Sequence, residues 1–304
     1  MIRNTKTLLE EARSGGYAVG AFNTVNLETT KAILDAAEET VSPVIIQITE
    51  KTMEYAGGKA LFHLVRDMAE SYHSNLPVAI HLDHGKSLEI VDRAIEIGFP
   101  SVMYDGSRNS YNDNVRATKR VVELAHSKGV SVQAELGNVP YLSETSGDIP
   151  WDEYMTDPEE AARFTEETGT DTLAVAIGNA HGFARERDEP DYDRLAAIVS
   201  RVSVPLVLHG ASDWEDERAK RVIELGISCF NVDTAIKLAF VGEVTRVIGE
   251  GGVTDIRKML EPARDAVKEA VKRKMMLFGS AGKAGLAVID IPVSSPSIPD
   301  SEDE

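Results

Sequence analysis

Apolar and polar positions along the chain alternate between two rhythms. Short apolar runs at residues 17–23, 44–49, 78–84, 101–105, 131–137, 172–178, 205–210 and 229–234 predict eight strands. Most are rich in Val, Ile, Ala and Leu, as strands covered on both faces are. Between them the apolar residues recur at helical spacing. Residues 27–40 carry Ile33, Leu34, Ala36 and Ala37, residues 88–97 stop at Gly98, and residues 114–128 carry Val115, Val121, Val122 and Leu124 before Gly129. Asp157-Pro158-Glu159-Glu160 reads as a helix start, with an N-cap, a proline at the first helical position and acids in the first turn; that helix runs to Gly169. A further helical stretch spans residues 254–278.

Eight strands, each followed by a helix, predict an α/β protein of the (β/α)8 TIM-barrel class. A doubly wound open sheet is the alternative, but no GxGxxG follows the first strand, which weakens its dinucleotide-binding version. No sequence repeat is visible beyond the alternation. The expected organisation is one barrel domain over residues 1–288 with a C-terminal helical extension. A Pro/Ser/acidic tail follows over 289–304, disordered from about Ser294.

Composition narrows the partners. The 304 residues are 42% hydrophobic and 27% charged, as in a globular protein, and Cys229 is the single cysteine, so no intrachain disulfide forms. The formal net charge of -18 argues against nucleic acid or an anionic membrane as partner. No apolar run reaches the length of a membrane span and no signal peptide is visible, so the expected location is the cytoplasm.

In a (β/α)8 barrel, chemistry sits where the strands end. There the sequence places His81-Leu82-Asp83-His84, Tyr104-Asp105, Glu135-Leu136-Gly137, Asn179-Ala180-His181-Gly182, His209-Gly210-Ala211-Ser212 and Asn231-Val232-Asp233-Thr234. Four of the seven histidines (His81, His84, His181 and His209) fall in these segments; His63, His73 and His126 lie in helical stretches. Histidines converging on one rim, with acids between them, suit a Zn²⁺ site with an open position. Asp83, beside His84, is placed as a general base or as a carboxylate that orients a histidine. Asp105 and Glu135 can bind a second or displaced metal, or orient the histidines. Gly182, Gly210 and Ser212 offer backbone N–H groups for a phosphate, and Asn231 and Thr234 add donors at the start of the last barrel helix.

These segments resemble the class II, zinc-dependent ketose-bisphosphate aldolases, a family that includes fructose- and tagatose-bisphosphate aldolases. The resemblance runs from Tyr17-Ala18-Val19-Gly20-Ala21-Phe22-Asn23 to Gly279-Ser280 and is carried by HLDH, AELG, AVAIGNAHG, LVLHGAS and NVDT. It implies His84, His181 and His209 as zinc ligands, Asp83 as the proton-transfer base, and Asp105 and Glu135 as accessory carboxylates. It also implies Asn23, Gly182, Gly210, Ser212, Asn231, Asp233 and Thr234 as phosphate or ketose contacts, and a monovalent cation near the phosphate. The implied reaction is a reversible retro-aldol cleavage. Asp83 takes the C4 hydroxyl proton, the C3–C4 bond breaks, and a second acid protonates the enediolate to give a dihydroxyacetone-phosphate-type ketone and an aldehyde. The family resemblance further implies a homodimer or homotetramer, with residues 254–278 available for an interface.

Three departures bear on the substrate. The family's mobile loop carries Gly-Gly and acids, one of them the second acid; here it reads NVPYLSETSGDIP, and Glu144 is the nearest candidate for the acid. Where many members have a phosphate-binding lysine, this chain has Arg185, and Asp213 follows HGAS. Asp233 leans toward fructose 1,6-bisphosphate, whereas the altered loop leans toward another phosphorylated ketose. A lysine Schiff base would need Lys51 or Lys86, just past strands two and three. The other readings are a metal-dependent hydrolase, disfavoured because strand one lacks an HxH pair, and a metal-binding paralogue without turnover.

Overall fold

The computed structural model describes residues 2–72, 75–141, 151–182, 189–212 and 214–285. The expectations for His73, Glu144, Arg185, Asp213 and the tail beyond residue 285 lie outside the described residues. Strands β1 (Val19–Asn23), β2 (Val44–Thr49), β3 (Val78–Gly85), β4 (Ser101–Tyr104), β5 (Ser131–Leu136), β6 (Thr172–Val175), β7 (Leu206–Leu208) and β8 (Ile227–Val232) pair in sequence order, and β8 returns to pair in parallel with β1. This is the closed (β/α)8 barrel expected, and it excludes the open sheet.

Around it lie α1 (Thr5–Gly15), α2 (Leu27–Glu39), α3 (Glu50–Ala56), α4 (Gly58–Tyr72), α5 (Leu88–Ile97), α6 (Tyr111–Ser127), α7 (Trp151–Tyr154), α8 (Pro158–Thr168), α9 (Tyr192–Val199), α10 (Asp216–Leu225), α11 (Thr234–Glu250) and α12 (Ile256–Leu277). Local chemistry sets their ends. Asn26 and Thr29 form a reciprocal capping box at α2, and Ser87, Ser110 and Asp157 cap α5, α6 and α8. Gly98 and Gly169 end α5 and α8 in the left-handed conformation, where a side chain is disfavoured. The helical stretch at 254–278 is α12, capped by Asp255.

Several strands are shorter than their apolar runs. β6 stops at Val175 and β7 at Leu208, because Gly178 and Gly210 take positive φ and turn the chain into rim loops. β3 runs one residue further, to Gly85, through a register shift against β4.

Two apolar cores result. One lies between strands and helices and holds residues such as Phe22, Ile46, Ile80, Val102 and Phe230. The other fills the barrel's lower interior with Val19, Ala21, Ile45, Ala79, Ala174, Val207 and Cys229, closed from below by Leu8, Leu9 and Ala12 of α1. The two-residue period of a strand then sends Asn23, Gln47, His81, Asp83, Gln133, Glu135, His209 and Asn231 inward above that floor. Arg3 N–H donates to the Val78 carbonyl at 2.7 Å, which fixes α1 under the barrel. Beside it the Thr5 hydroxyl meets those of Ser101 and Ser131 at 2.6 and 2.7 Å.

Candidate active site

The upper ends of the strands surround a cavity of about 220 Å³. Asn23, Asp83, His84, His181, Gly182, Gly210, Ser212, Asn231, Asp233 and Thr234, all singled out in the sequence, line it. Asp105, Glu135 and His209 support it from the strand ends. Neither Lys51 nor Lys86 lines it; both are exposed.

A regular strand would point Asp83 and His84 to opposite faces. The β3 register shift and a left-handed backbone at His84, φ 50°, bring the imidazole back toward the barrel mouth. Such a conformation costs a non-glycine residue about 1–2 kcal/mol, and functional sites are where such strain concentrates. Gly85 makes the crossing possible, because a Cβ there would lie 2.6 Å from the Met103 carbonyl oxygen. Gly210, φ 61°, is confined in the same way: a Cβ would lie 2.5 Å from the Ala180 carbonyl.

The histidines converge. His84 Nε2 and His209 Nδ1 are 2.9 Å apart. The ring centroids of His84 and His181 are 5.1 Å apart, and those of His181 and His209 6.1 Å apart. One ligand atom from each of the three lies within 4.8 Å of the others, and the same holds for His84, Asp105 and Glu135. Each ring is oriented by a partner. His84 Nδ1 faces Asp105 Oδ2 at 3.1 Å, and Asp105 is held in turn by the Ser107 hydroxyl at 2.7 Å. His209 Nε2 faces Gln133 Oε1 at 2.9 Å. His181 stacks on Tyr141 at 4.4 Å and 16°.

Asp83 lies beside this cluster, 4% exposed, with Oδ1 3.9 Å from His84 Nε2. Asn23 Nδ2 donates to its Oδ2 at 2.8 Å and Asn231 Nδ2 to its Oδ1 at 3.2 Å. Burial pushes the Asp83 carboxyl above its usual range, against the pull of His84 and Asn23. Burial, reinforced by Asp105, pushes Glu135 up to about 8. Burial works against charge on His84, but Asp83, Asp105 and Glu135 outweigh it and carry that imidazole up to about 9. Burial likewise opposes charge on Asp105, yet hydrogen bonds from His84 and Ser107 hold its carboxyl well below the usual range. Burial, then the neighbouring His84 and His181, push His209 well below its ordinary value.

This donor set fits a metal ion. Two ring nitrogens point at one another across 2.9 Å, a geometry that a cation or a proton between them stabilises. Glu135 Oε2 and Asn231 Oδ1 are buried without a hydrogen-bond partner among the described residues. Neutral imidazoles with an open coordination position are the donors of catalytic zinc sites, which polarise carbonyls.

The phosphate candidates line the same cavity, Gly182 and Gly210 directly following His181 and His209. The Ser212 hydroxyl donates to the Asn231 carbonyl at 3.2 Å. Asp233, at the N-terminus of α11, forms an ion pair with Lys237. His81 does not belong to the rim. It lies two residues below Asp83 on the inward face, 1% exposed, with Nδ1 2.6 Å from the Ser101 hydroxyl. Burial, then His84, lowers its pKa to about 3. Sequence reading by strand ends missed Tyr141, Thr49 and Gln133. Thr49 closes β2 on the inward face, and Gln133 precedes Glu135 by two residues, so strand periodicity carried a signal for both. Tyr141 lies in the loop where the family resemblance fails, and no local pattern marks it.

Fold and site define a (β/α)8 barrel enzyme with a potential metal centre at the C-terminal rim. The family model described as fructose-bisphosphate aldolase class-II matches residues 3–283. A fructose-bisphosphate aldolase from Thermus caldophilus is 47% identical over 301 residues, 91% of this chain and 98% of that one. The crystal structure of the YdjI aldolase from Escherichia coli K12 superposes with a TM-score of 0.83 at 36% identity, covering 93% of this chain and 100% of that one. Fructose-bisphosphate aldolase from Campylobacter jejuni, at 23% identity and a TM-score of 0.80 over 93% of this chain and 97% of that one, shares the fold. The chain belongs to the class-II fructose-bisphosphate aldolase family, and its activity is that of an aldolase, an aldehyde-lyase acting in carbohydrate metabolism.

Proposed function

We propose that this aldolase uses zinc held by His84, His181 and His209 to cleave a fructose 1,6-bisphosphate-like ketose in the cytoplasm. The observation that carries the reading is the convergence of the three imidazoles beside the buried Asp83. Bound there, zinc supplies a Lewis acid for the ketose carbonyl and for the charge left on C3.

The chain's own groups do the rest. Asp83 takes the C4 hydroxyl proton; Asn23 and Asn231 fix both of its oxygens, and its raised pKa brings it closer to the range of a working base. The C3–C4 bond then breaks, and its electron pair stays on C3. Glu144 returns a proton there, completing the ketone. Gly182, Gly210, Ser212 and Thr234 hold a phosphate through backbone and hydroxyl donors, and Arg185 supplies a cation for it. Asp233 contacts the ketose hydroxyls. Asp105 and Glu135 orient His84 and His209 and offer a second position for the metal. The altered loop after β5 favours a second reading, in which the ketose is a phosphorylated sugar other than fructose 1,6-bisphosphate.

The protein functions as a homodimer or homotetramer. Leu238, Val241 and Ile248 lie along one side of α11 and are 58, 61 and 62% exposed, a stripe suited to burial against a second copy.

The test is a cleavage screen of phosphorylated ketoses after chelation and after zinc is restored, read by triose-phosphate release. Chelation should abolish cleavage, and zinc should restore it. Full activity after exhaustive chelation, or trapping of a covalent adduct by borohydride, rules the zinc reading out.

A further inference from the structure

A metal-binding imidazole works only if the nitrogen aimed at the metal carries its lone pair, so something must hold the proton on the other nitrogen. For His84 that partner is the Asp105 carboxylate. For His209 it lies inside the barrel. Gln133 sits on the inward face of β5, is 5% exposed, and presents Oε1 to His209 Nε2 at 2.9 Å.

An amide oxygen only accepts. The reverse tautomer of His209 would set two lone pairs, on Nε2 and on Gln133 Oε1, 2.9 Å apart in a buried site. The proton therefore belongs on Nε2, and Nδ1 is left with its lone pair. Nδ1 is the atom 2.9 Å from His84 Nε2 and 3.7 Å from Glu135 Oε2, so the lone pair points into the cluster. Asn231 Nδ2 also lies 3.1 Å from His209 Nε2, but it has a carboxylate acceptor in Asp83 Oδ1 at 3.2 Å. His209 is wholly buried, and no solvent competes for either nitrogen.

We propose that Gln133 is a positioning residue that locks His209 in the Nε2–H tautomer and so prepares Nδ1 as a metal ligand. Its acceptor is a neutral amide, where His84 has a carboxylate. It holds the ring proton without adding a further negative charge to a site that already contains Asp83, Asp105 and Glu135. The proposal rests on the reading that His209 binds the metal.

The experiment uses full-length protein labelled with ¹⁵N-histidine, metal-stripped and then titrated with Zn²⁺. Long-range ¹H–¹⁵N spectra, assigned with H209A, should show His209 as the Nε2–H tautomer before and after zinc. Gln133→Met keeps the volume and removes the acceptor. It should mix the two tautomers in the metal-stripped protein and weaken zinc binding about 10- to 100-fold in chelator competition. An Nδ1–H tautomer in the metal-stripped wild type overturns the proposal, as does a folded Gln133→Met protein with wild-type zinc affinity. H209A separates the two layers. If it keeps wild-type zinc affinity, the metal-centre reading fails. If it loses zinc while Gln133→Met does not, only the role of Gln133 fails.

Discussion

The barrel interior has two polar ends, and they differ in what their polar groups meet. At the base, Thr5, Ser101, Ser131 and His81 form a hydroxyl–imidazole chain, each hydroxyl meeting another at 2.6–2.7 Å. Nearby Asp171 accepts from Lys6, His126 and the Val132 amide. At the rim three carboxylates crowd three imidazoles, and Glu135 Oε2 and Asn231 Oδ1 find no partner among the described residues. The same strands, two or four residues apart on one face, supply both ends. The base hydroxyls pair with one another, though His81 Nε2 also finds no partner among the described residues, whereas the unpaired acceptors at the rim lie beside groups that could hold an ion.

Substitutions should separate the two ends. The largest effect is expected at Asp83. Asp83→Ala should lower cleavage about 10²- to 10⁴-fold while zinc content and Tm stay at or above wild type, because a crowded buried acid is removed. Loss of zinc to the extent expected of H209A would merge the roles of base and ligand and break the distinction.

Next comes His81, whose contribution is to stability. Its folded pKa of about 3 lies below the ordinary value of 6.5, so between these values the unfolded chain takes up a proton that the native state refuses. Stability therefore rises with pH through this window, is fully present above it, and is lost as pH falls from 6.5 toward 3. From pH 7 to pH 5 the expected loss from this one group is about 2 kcal/mol. Urea unfolding of the wild type should show that excess over H81N; parallel pH profiles would refute it.

A smaller effect is expected for Thr5→Val, which keeps the shape and removes one partner from each of two buried hydroxyls, while Ser101 keeps His81 Nδ1 and Ser131 keeps the Pro100 carbonyl. It should cost about 1–3 kcal/mol in urea unfolding with kcat unchanged. If kcat fell with stability intact, the base would not be the purely structural end. The smallest is Lys6→Met. The Lys6 side chain is 47% exposed and Asp171 keeps two other donors, so the loss in the same assay should stay under about 1 kcal/mol.

The contrast also shows what the sequence could reveal. Strand positions were legible because covered parallel strands are nearly continuous apolar runs, and the rim residues because they follow those runs directly. Depth was harder to read. His81 and His84 stand three residues apart in one segment, yet the pleat puts His81 a layer below Asp83, and the left-handed turn at His84 lifts that ring to the mouth. No composition signal marks such a turn. Gln133 was less legible because it lies beneath the strand end, where only the two-residue period ties it to Glu135. Tyr141 meets His181 through an isolated bridge between two loops, a contact that exists only once the barrel has closed. The α1 plug was equally hidden, since a short amphipathic helix carries no hint of which opening it will cover.

That plug has a consequence for the order of events during synthesis. The α1 segment leaves the ribosome before the strands it closes, and the hydroxyl partners of its Thr5, Ser101 and Ser131, lie 96 and 126 residues downstream. Its apolar seat includes Cys229 on β8. At about 5–20 residues per second, roughly 10 to 45 s pass between completion of α1 and arrival of the last strand. For that time Leu8, Leu9 and Ala12 have no barrel floor to cover. A helix made before every barrel strand is thus among the last to dock, and the nascent chain spends that interval with an apolar face waiting for its seat.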